Sequence, residues 1–210
     1  PVAHSFPTRR SSDLVFHDEA IQPAVRAKVP VAIKNTNRPE QPGTHIVPSR
    51  EYKHGEIAGV ASSPGFISIY VDKYLMNREL GFARRLLQII EDEGVSLQHM
   101  PSGIDNISII VDAEECYHAV ERRILDRIQA TLEPDHVEIE HGLALVMIVG
   151  EGMSHTLGVA GRATKALGDA KINIEMINQG ASEISMMFGV KEEDREAAVR
   201  ALYNEFVPAE

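Results

Sequence analysis

At 210 residues, with 43% hydrophobic and 25% charged side chains, the chain has the composition of a globular protein with room for one or two domains. Its formal net charge of −10 argues against a nucleic-acid partner, because binding a phosphate backbone needs a Lys/Arg surface. No run of about 18 apolar residues marks a membrane helix, and the single cysteine, Cys116, excludes an internal disulfide and fits a reducing, cytoplasmic setting.

In chain order, His4–Leu14 reads HSFPTRRSSDL, which looks like a sequencing adapter translated in one frame. Residues 1–14 are therefore set aside from fold reasoning as an artefact, with a gene that continues upstream; a genuine basic loop with Arg9 and Arg10 is the alternative. His17 beside Asp18 and Glu19 reads as an exposed cluster before a metal site or a general base. Residues 15–50 hold a short helical stretch, EAIQPAVRAKV, a strand, VPVAIKN, and a rigid turn at Pro39, Pro42 and Gly43 before another extended run. A piece this short cannot bury a core of its own and reads as the tail of a larger domain.

From residue 55 strands and helices alternate. FISIYVD is a strand by alternation and β-branching, and NRELGFARRLLQIIEDEG is an amphipathic helix with Leu80, Ala83, Leu87 and Ile90 on one stripe and Gly94 as its stop. VSLQHMPSG and NISIIVD make a hairpin around Gly103, AEECYHAVERRILDRIQATLE a second helix, and HVEIEHG a closing strand. The order then repeats with LALVMIVG, TLGVAGRATKALGDA, the hairpin INIEMINQG–SEISMMFGV and the helix EEDREAAVRALYNEFV. Met76 and Met153, Gly81 and Gly158, Gly103 and Gly180, Ile107 and Ile184, and Ser108 and Ser185 are all 77 residues apart, the mark of an internal duplication. The expected class is α+β: two tandem ferredoxin-like βαββαβ modules, 51–140 and 141–210, preceded by the remnant 15–50.

No phosphate loop, H-E-x-x-H or paired C-x-x-C motif is present, so no catalytic or metal residue is assigned. Cys116 reads as a structural thiol. GEGMSHTLG (150–158) follows a strand and opens a helix, where unpaired N–H groups and the helix dipole suit a carboxylate; alternatively Gly150 and Gly152 only make the tight turn. The matching junction is YLMNRELGF, where Gly81 permits close approach. An α-amino acid needs donors for its carboxylate and acceptors for its ammonium. Asn77, Ser96 and Gln98 would supply polar groups, with the start of VSLQHM expected opposite Gly81 and with Met76 and Phe82 as apolar walls. Asn77 as a helix cap and Ser96 as an ordinary strand residue are the plainer alternatives. In the second repeat Met153, Ser154, Gly158, Asn173, Ile174 and Glu175 fall at equivalent places.

Over residues 15–207 the sequence resembles the aspartate kinase family. FHDEAIQP is similar to the family's K-V-L-H-P-x-x-x-x-P stretch, IKNTNRPEQPGTHIV to its N-T-x-x-P-x-x-P-G-T loop, and SEISMMFGVKEEDREAAVRALYNEF to its last strand and helix. KYLMNRELGFARRLLQIIEDEGVSLQHMPSGID resembles the monofunctional enzymes of low-GC Gram-positive bacteria. The resemblance implies a remnant of an α/β kinase domain followed by two ACT modules. The implied parent enzyme phosphorylates L-aspartate with ATP and Mg2+ for Lys, Thr and Met synthesis. The fragment itself would take no cofactor, form a homodimer through its ACT modules, and bind lysine and/or threonine at Met76, Asn77, Arg78, Gly81, Phe82, Ser96, Leu97 and Gln98. Lysine-sensing relatives carry an acidic side chain near the Gln98 position, so Asp105 or a partner-chain carboxylate would have to replace it here. The family's lysine before V-L-H-P would fall at Leu14, and a linker near PSREYKHG (48–55) would carry the signal to the kinase. A stand-alone ACT sensor, another enzyme's ACT tail and a purely structural dimerisation module are the alternatives. With the K-F-G-G-type motif and the aspartate-binding residues missing, this chain should show no turnover in a coupled ADP-release assay with ATP and L-aspartate.

Overall fold

A computed structural model describes residues 18–47 and 51–207. The adapter-like stretch, Leu14 and His17 lie outside the described residues, as do residues 48–50 of the linker. The chain divides into Pro1–Lys53 and His54–Glu210.

In the first unit α1 (Asp18–Arg26) is followed by β1 (Val31–Ile33) and β2 (Thr44–Ile46), paired antiparallel. The turn between them folds onto the strand. Gly43 has φ +72, and a Cβ there would stand 2.3 Å from the Ile33 carbonyl oxygen. Asn35 Oδ1 accepts the Asn37 N–H at 2.9 Å, an Asx turn that starts the loop.

The second unit is built on two long strands, β3 (Gly59–Asp72) and β6 (His136–Val149), which run antiparallel along their lengths. HVEIEHG and LALVMIVG, read from the sequence as separate strands, are thus one strand. Gly142, at φ +73, absorbs the change of pleat where one module passes into the next. A matching irregularity interrupts β3 at Ser63–Ser68, with Gly65 at φ +87. The pleat flips here: Val60 faces the second module's core while Ile67, Ile69 and Val71 face the first.

The remaining elements are α2 (Phe82–Asp92), β4 (Leu97–His99), β5 (Asn106–Asp112), α3 (His118–Leu132), α4 (Val159–Asp169), β7 (Met176–Gln179), β8 (Ser185–Lys191) and α5 (Arg195–Phe206). They complete one six-stranded sheet, β4-β5-β3-β6-β8-β7. Each half has the βαββαβ strand order, and each central strand serves both halves. The second half of β3 and first half of β6 belong to the first module; Gly59–Ser63 and the second half of β6 belong to the second. The first module is therefore inserted into the second, and the sheet does not follow a linear division at residue 140. Leu86, Ile89, Ile124 and Ile128 fill one core; Ala163, Leu167, Phe188 and Leu202 fill the other.

Three sequence expectations shift. The helix expected from Asn77 begins at Phe82, because Gly81 in the left-handed region (φ 75) stops the chain from entering the helix earlier. Leu80 is then outside the helix and 93% exposed, and the buried stripe is Phe82, Leu86, Ile89 and Ile90. The helix expected from Ala113 begins at His118. The 77-residue offset holds from β3 to β6 and from α2 to α4, but the β7–β8 loop is two residues longer than its counterpart. By register Asn106 therefore answers to Ser185, so the Ile107/Ile184 and Ser108/Ser185 matches are not structural equivalents. Ile107 is buried, whereas Ile184 is exposed.

Charged clamps hold each helix pair. Glu93 accepts from Arg123 Nε (2.7 Å) and Arg127 Nη1 (3.0 Å) between α2 and α3. Between α4 and α5, Arg162 Nε bonds Glu205 at 2.7 Å while its guanidinium lies 4.5 Å from the Phe206 ring centre. At the β6 exit Gly150 packs against backbone, and a Cβ there would fall 2.7 Å from Ala58 N and Ile57 Cα. Gly150→Ala should therefore lower stability by about 1–3 kcal/mol. Gly168→Ala, in a helix with nothing within 4 Å of the new methyl, should raise it by about 0.5–1 kcal/mol. Denaturant midpoints of the two variants against the parent chain check both signs.

Candidate functional site

The two strand-to-helix junctions are built alike. After Asp72 the Lys73 N–H donates to the Asp105 carbonyl (2.8 Å) and the Tyr74 N–H to Asp135 Oδ2 (2.6 Å). Leu75 takes a left-handed conformation, φ 60, and Met76–Arg78 form one 3-10 turn. Met76 drops into the core and anchors the loop, leaving Asn77 and Arg78 exposed. Glu79 then bridges Lys73 (2.8 Å) and Arg85. The hydrogen bond from the Lys73 ammonium holds the Glu79 carboxyl below the usual carboxylate range. Lys73 also lies 5.7 Å from the centre of the Phe82 ring, which is itself buried.

Gly81 caps α2 without a side-chain acceptor, and among the described residues no acceptor meets the N–H groups of Ala83 and Arg84. At the second junction Gly158 (φ 84) caps α4 in the same way, and among the described residues no acceptor meets the N–H groups of Val159, Ala160 and Gly161. Both helix ends thus offer a positive dipole end and donors for an anion. Around the second, the Gly152 carbonyl accepts from Gly55 N (2.7 Å) and Thr156 Oγ1 (2.8 Å), and His155 N–H donates to Glu183 Oε2 (2.7 Å). Met153 is buried, and Ser154 opens the short run to Gly158. The tight-turn role of Gly150 and Gly152 is therefore real, and it is compatible with donors at α4.

The start of β4 does not lie opposite Gly81 within one chain. Leu97 is level with Val111 and hence with Ile67, whereas Gly81 follows Asp72, which is level with Asn106. From Ile67 to Asp72 the sheet advances about 17 Å, and the 11 residues of α2 run back over about 16 Å. Met76, Asn77, Arg78, Gly81 and Phe82 therefore sit at one end of the module and Ser96, Leu97 and Gln98 at the other. The antiparallel order of β3, β5 and β4 dictates this. The same separation holds between Gly158 and Asn173, Ile174 and Glu175.

At its own end Ser96 N–H donates to Glu115 Oε2 (2.7 Å), Leu97 is exposed, and Asn173 Nδ2 donates to Glu175 Oε1 (3.0 Å). What the fold does bring to the Gly81 end is the β4–β5 hairpin tip, with Asp105. Its Oδ1 is buried and, like Arg85 Nε, meets no hydrogen-bond partner. Lys73, Glu79, Arg85 and Glu183 escaped sequence reasoning, since isolated charges carry no periodic signal. Among the described residues no cluster of His, Cys, Asp and Glu could hold a metal ion, and no helix is long and apolar enough to cross a membrane.

Known proteins share sequence and fold with this chain. The ACT domain family matches residues 146–206. Aspartokinase 3 of Bacillus subtilis is 55% identical over 192 residues, covering 91% of this chain and 42% of that protein. The chain spans less than half the length of the curated relatives it matches. The crystal structure of Clostridium acetobutylicum aspartate kinase, described as an allosteric enzyme, superposes with a TM-score of 0.85 at 41% identity over 91% of this chain and 45% of that one. The regulatory subunit of aspartate kinase from Thermus flavus shares the fold, with a TM-score of 0.62 at 23% identity over 72% of this chain and 99% of that one.

Neither junction holds a cysteine. Cys116 is buried, and burial pushes its thiol up to about 11. A thiol with that value is almost wholly protonated at pH 8. Ellman's reagent at pH 8 should leave the native chain unlabelled and react fully once it is unfolded in guanidinium.

Proposed function

We propose that this chain, a regulatory ACT region of the aspartokinase type, binds an amino-acid end product at its strand-to-helix junctions and passes that signal to a kinase domain. The unmet N–H groups at the α2 and α4 termini, each following a left-handed glycine, carry the reading. They are matched in charge and size to an α-carboxylate, and the open space beside Gly81 admits one: the nearest atom to a Cβ built there is Arg84 Nε at 3.8 Å. Lysine and threonine, the products of the pathway an aspartokinase opens, are the proposed effectors. Asp105, with an unpaired buried oxygen at the Gly81 end, is the group suited to a ligand ammonium.

The acceptor half, Ser96–Gln98, lies at the far end of the same module, so a complete site needs two modules side by side in opposite directions. A homodimer supplies this. β4 is an edge strand, and a two-fold axis beside that edge sets the Gly81 end of one copy against the Ser96 end of the other. Effector binding then favours the paired state and changes module packing, and it can do so only by binding that state more tightly. The parent enzyme is proposed to transfer phosphate from ATP, with Mg2+, to the L-aspartate β-carboxylate; no described residue of this chain is assigned to either cofactor. The segment 15–50 is proposed as the end of that kinase domain.

Isothermal titration with L-lysine, L-threonine and the pair together tests the reading, with sedimentation velocity run in parallel. Saturable heat from at least one amino acid, accompanied by a shift towards dimer, is expected. Gly81→Val should abolish that heat while leaving the far-ultraviolet spectrum unchanged. Binding that persists undiminished in Gly81→Val, or full binding by a chain that stays monomeric, would overturn the two-module site.

A further inference from the structure

All the helices whose contacts are described above pack on one face of the sheet, and the other face is open. On it Phe66, Ile110 and Leu143 form a small buried cluster against which Leu145 and Met176 pack. The sheet curls so far that its two edges approach across this face. Pro101, Ser102 and Gly103, after β4 at one edge, and Glu175, Met176 and Ile177, at the other, line one cavity of about 300 Å³. That volume is at the lower end of small-molecule sites.

The floor of this trough carries Ser68. It is 7% exposed, the one buried polar residue among the described residues, and it lines the cavity. No hydrogen bond ties the Ser68 hydroxyl to another described residue and it is not sealed off, so a polar occupant of the cavity can meet it. In register Ser68 stands between Ile110 on β5 and Glu140 on β6, so the three side chains form a row across the floor. Glu140 and, from the second module, Glu175 line the trough, Glu175 Oε1 also accepting from Asn173 Nδ2 at 3.0 Å, and no Lys, Arg or His lines it. Beyond Ser68, Ile110, Leu143 and Met176 offer a hydrocarbon wall.

We infer that this trough is a binding site for a small aliphatic ammonium compound, with the ammonium head at Glu140 and the Ser68 hydroxyl and the hydrocarbon stem along Leu143 and Met176. Two carboxylates and no cation among the lining residues disfavour an anion and favour a cationic head. The site is separate from both strand-to-helix junctions and goes beyond the reading proposed for them. Because its walls come from both modules, an occupant ties the β4–β5 hairpin of one to β7 of the other and favours the more curled sheet.

The test uses n-pentylammonium and its uncharged counterpart pentan-1-ol, titrated into the 210-residue chain and followed by amide proton–nitrogen spectra. Pentylammonium should shift the amides of Ser68, Glu140 and Met176 saturably, with pentan-1-ol binding ~10-fold more weakly. Glu140→Gln should weaken the amine ~10-fold and leave the alcohol unchanged, and Ser68→Ala, in which the fold loses only an unpaired hydroxyl, should weaken both. Equal affinity for amine and alcohol, shifts centred elsewhere, or no saturation because water or a second copy of the chain fills the trough would each overturn the inference. Amine binding that survives Gly81→Val while the amino-acid heat is lost shows that the two sites stand or fall separately.

Discussion

The antiparallel pairing of β3 with β6 is the interaction on which the second unit depends. Each strand is 14 residues long, and each is the first strand of one module and the last strand of the other. Neither module can close its four-stranded sheet without borrowing from its twin. An ordinary βαββαβ unit can fold and unfold alone, whereas here the loss of one module strips the last strand from the other. The bulges at Ser63–Ser68 and at Gly142 are the cost of this sharing. A strand that faces one core and then another must change its pleat, and glycines at positive φ make the change without steric strain.

The same pairing fixes where ligands could act. Because β3 and β6 run in opposite directions, the α2 and α4 N-termini point to opposite ends of the sheet. Each carries a left-handed glycine, an exposed leucine (Leu80 or Leu157) and donors without acceptors. The curl of the sheet around the two central strands creates the trough on the open face, with walls drawn from both modules. A regulatory region needs a body that responds as one piece, and the interlocked sheet supplies it. Both ends rest on strands that the two modules share. The allosteric character ascribed to the clostridial enzyme is in keeping with such a body.

The duplication, the strand–helix alternation and the importance of Gly81 and Gly158 were legible in the residues, because hydrophobic periodicity and glycine punctuation are local signals. Boundaries were less so. The pattern from Asn77 runs smoothly into the helix, and only the left-handed conformation of Gly81 shows that Leu80 stands outside it. Repeat arithmetic misled at Ile107 and Ile184, since a hairpin two residues longer shifts register without changing the residues that match. Asp105 was named from the sequence as a substitute acid, yet its buried, unpaired oxygen could be seen only once the hairpin tip was placed beside Lys73.

By itself the sequence determined the α+β class, the two related modules, the absence of a phosphate loop or thiol-based metal motif, and the two glycine-marked helix starts. The class and the helix starts are set by residues within one turn or one strand of each other, and the duplication by matches at one fixed offset. Only the tertiary structure decided that the first module is inserted in the second, that Gly59–Ser63 belongs to the later module's sheet, and that Ser96–Gln98 lies about 16 Å from the helix end it was expected to face. It also brought Ser68, Glu140 and Glu175 to one trough. These outcomes depend on strand order and direction, which arise from pairings between distant residues, from Asp72 with His136 to Gly59 with Val149, that leave no local trace in the chain.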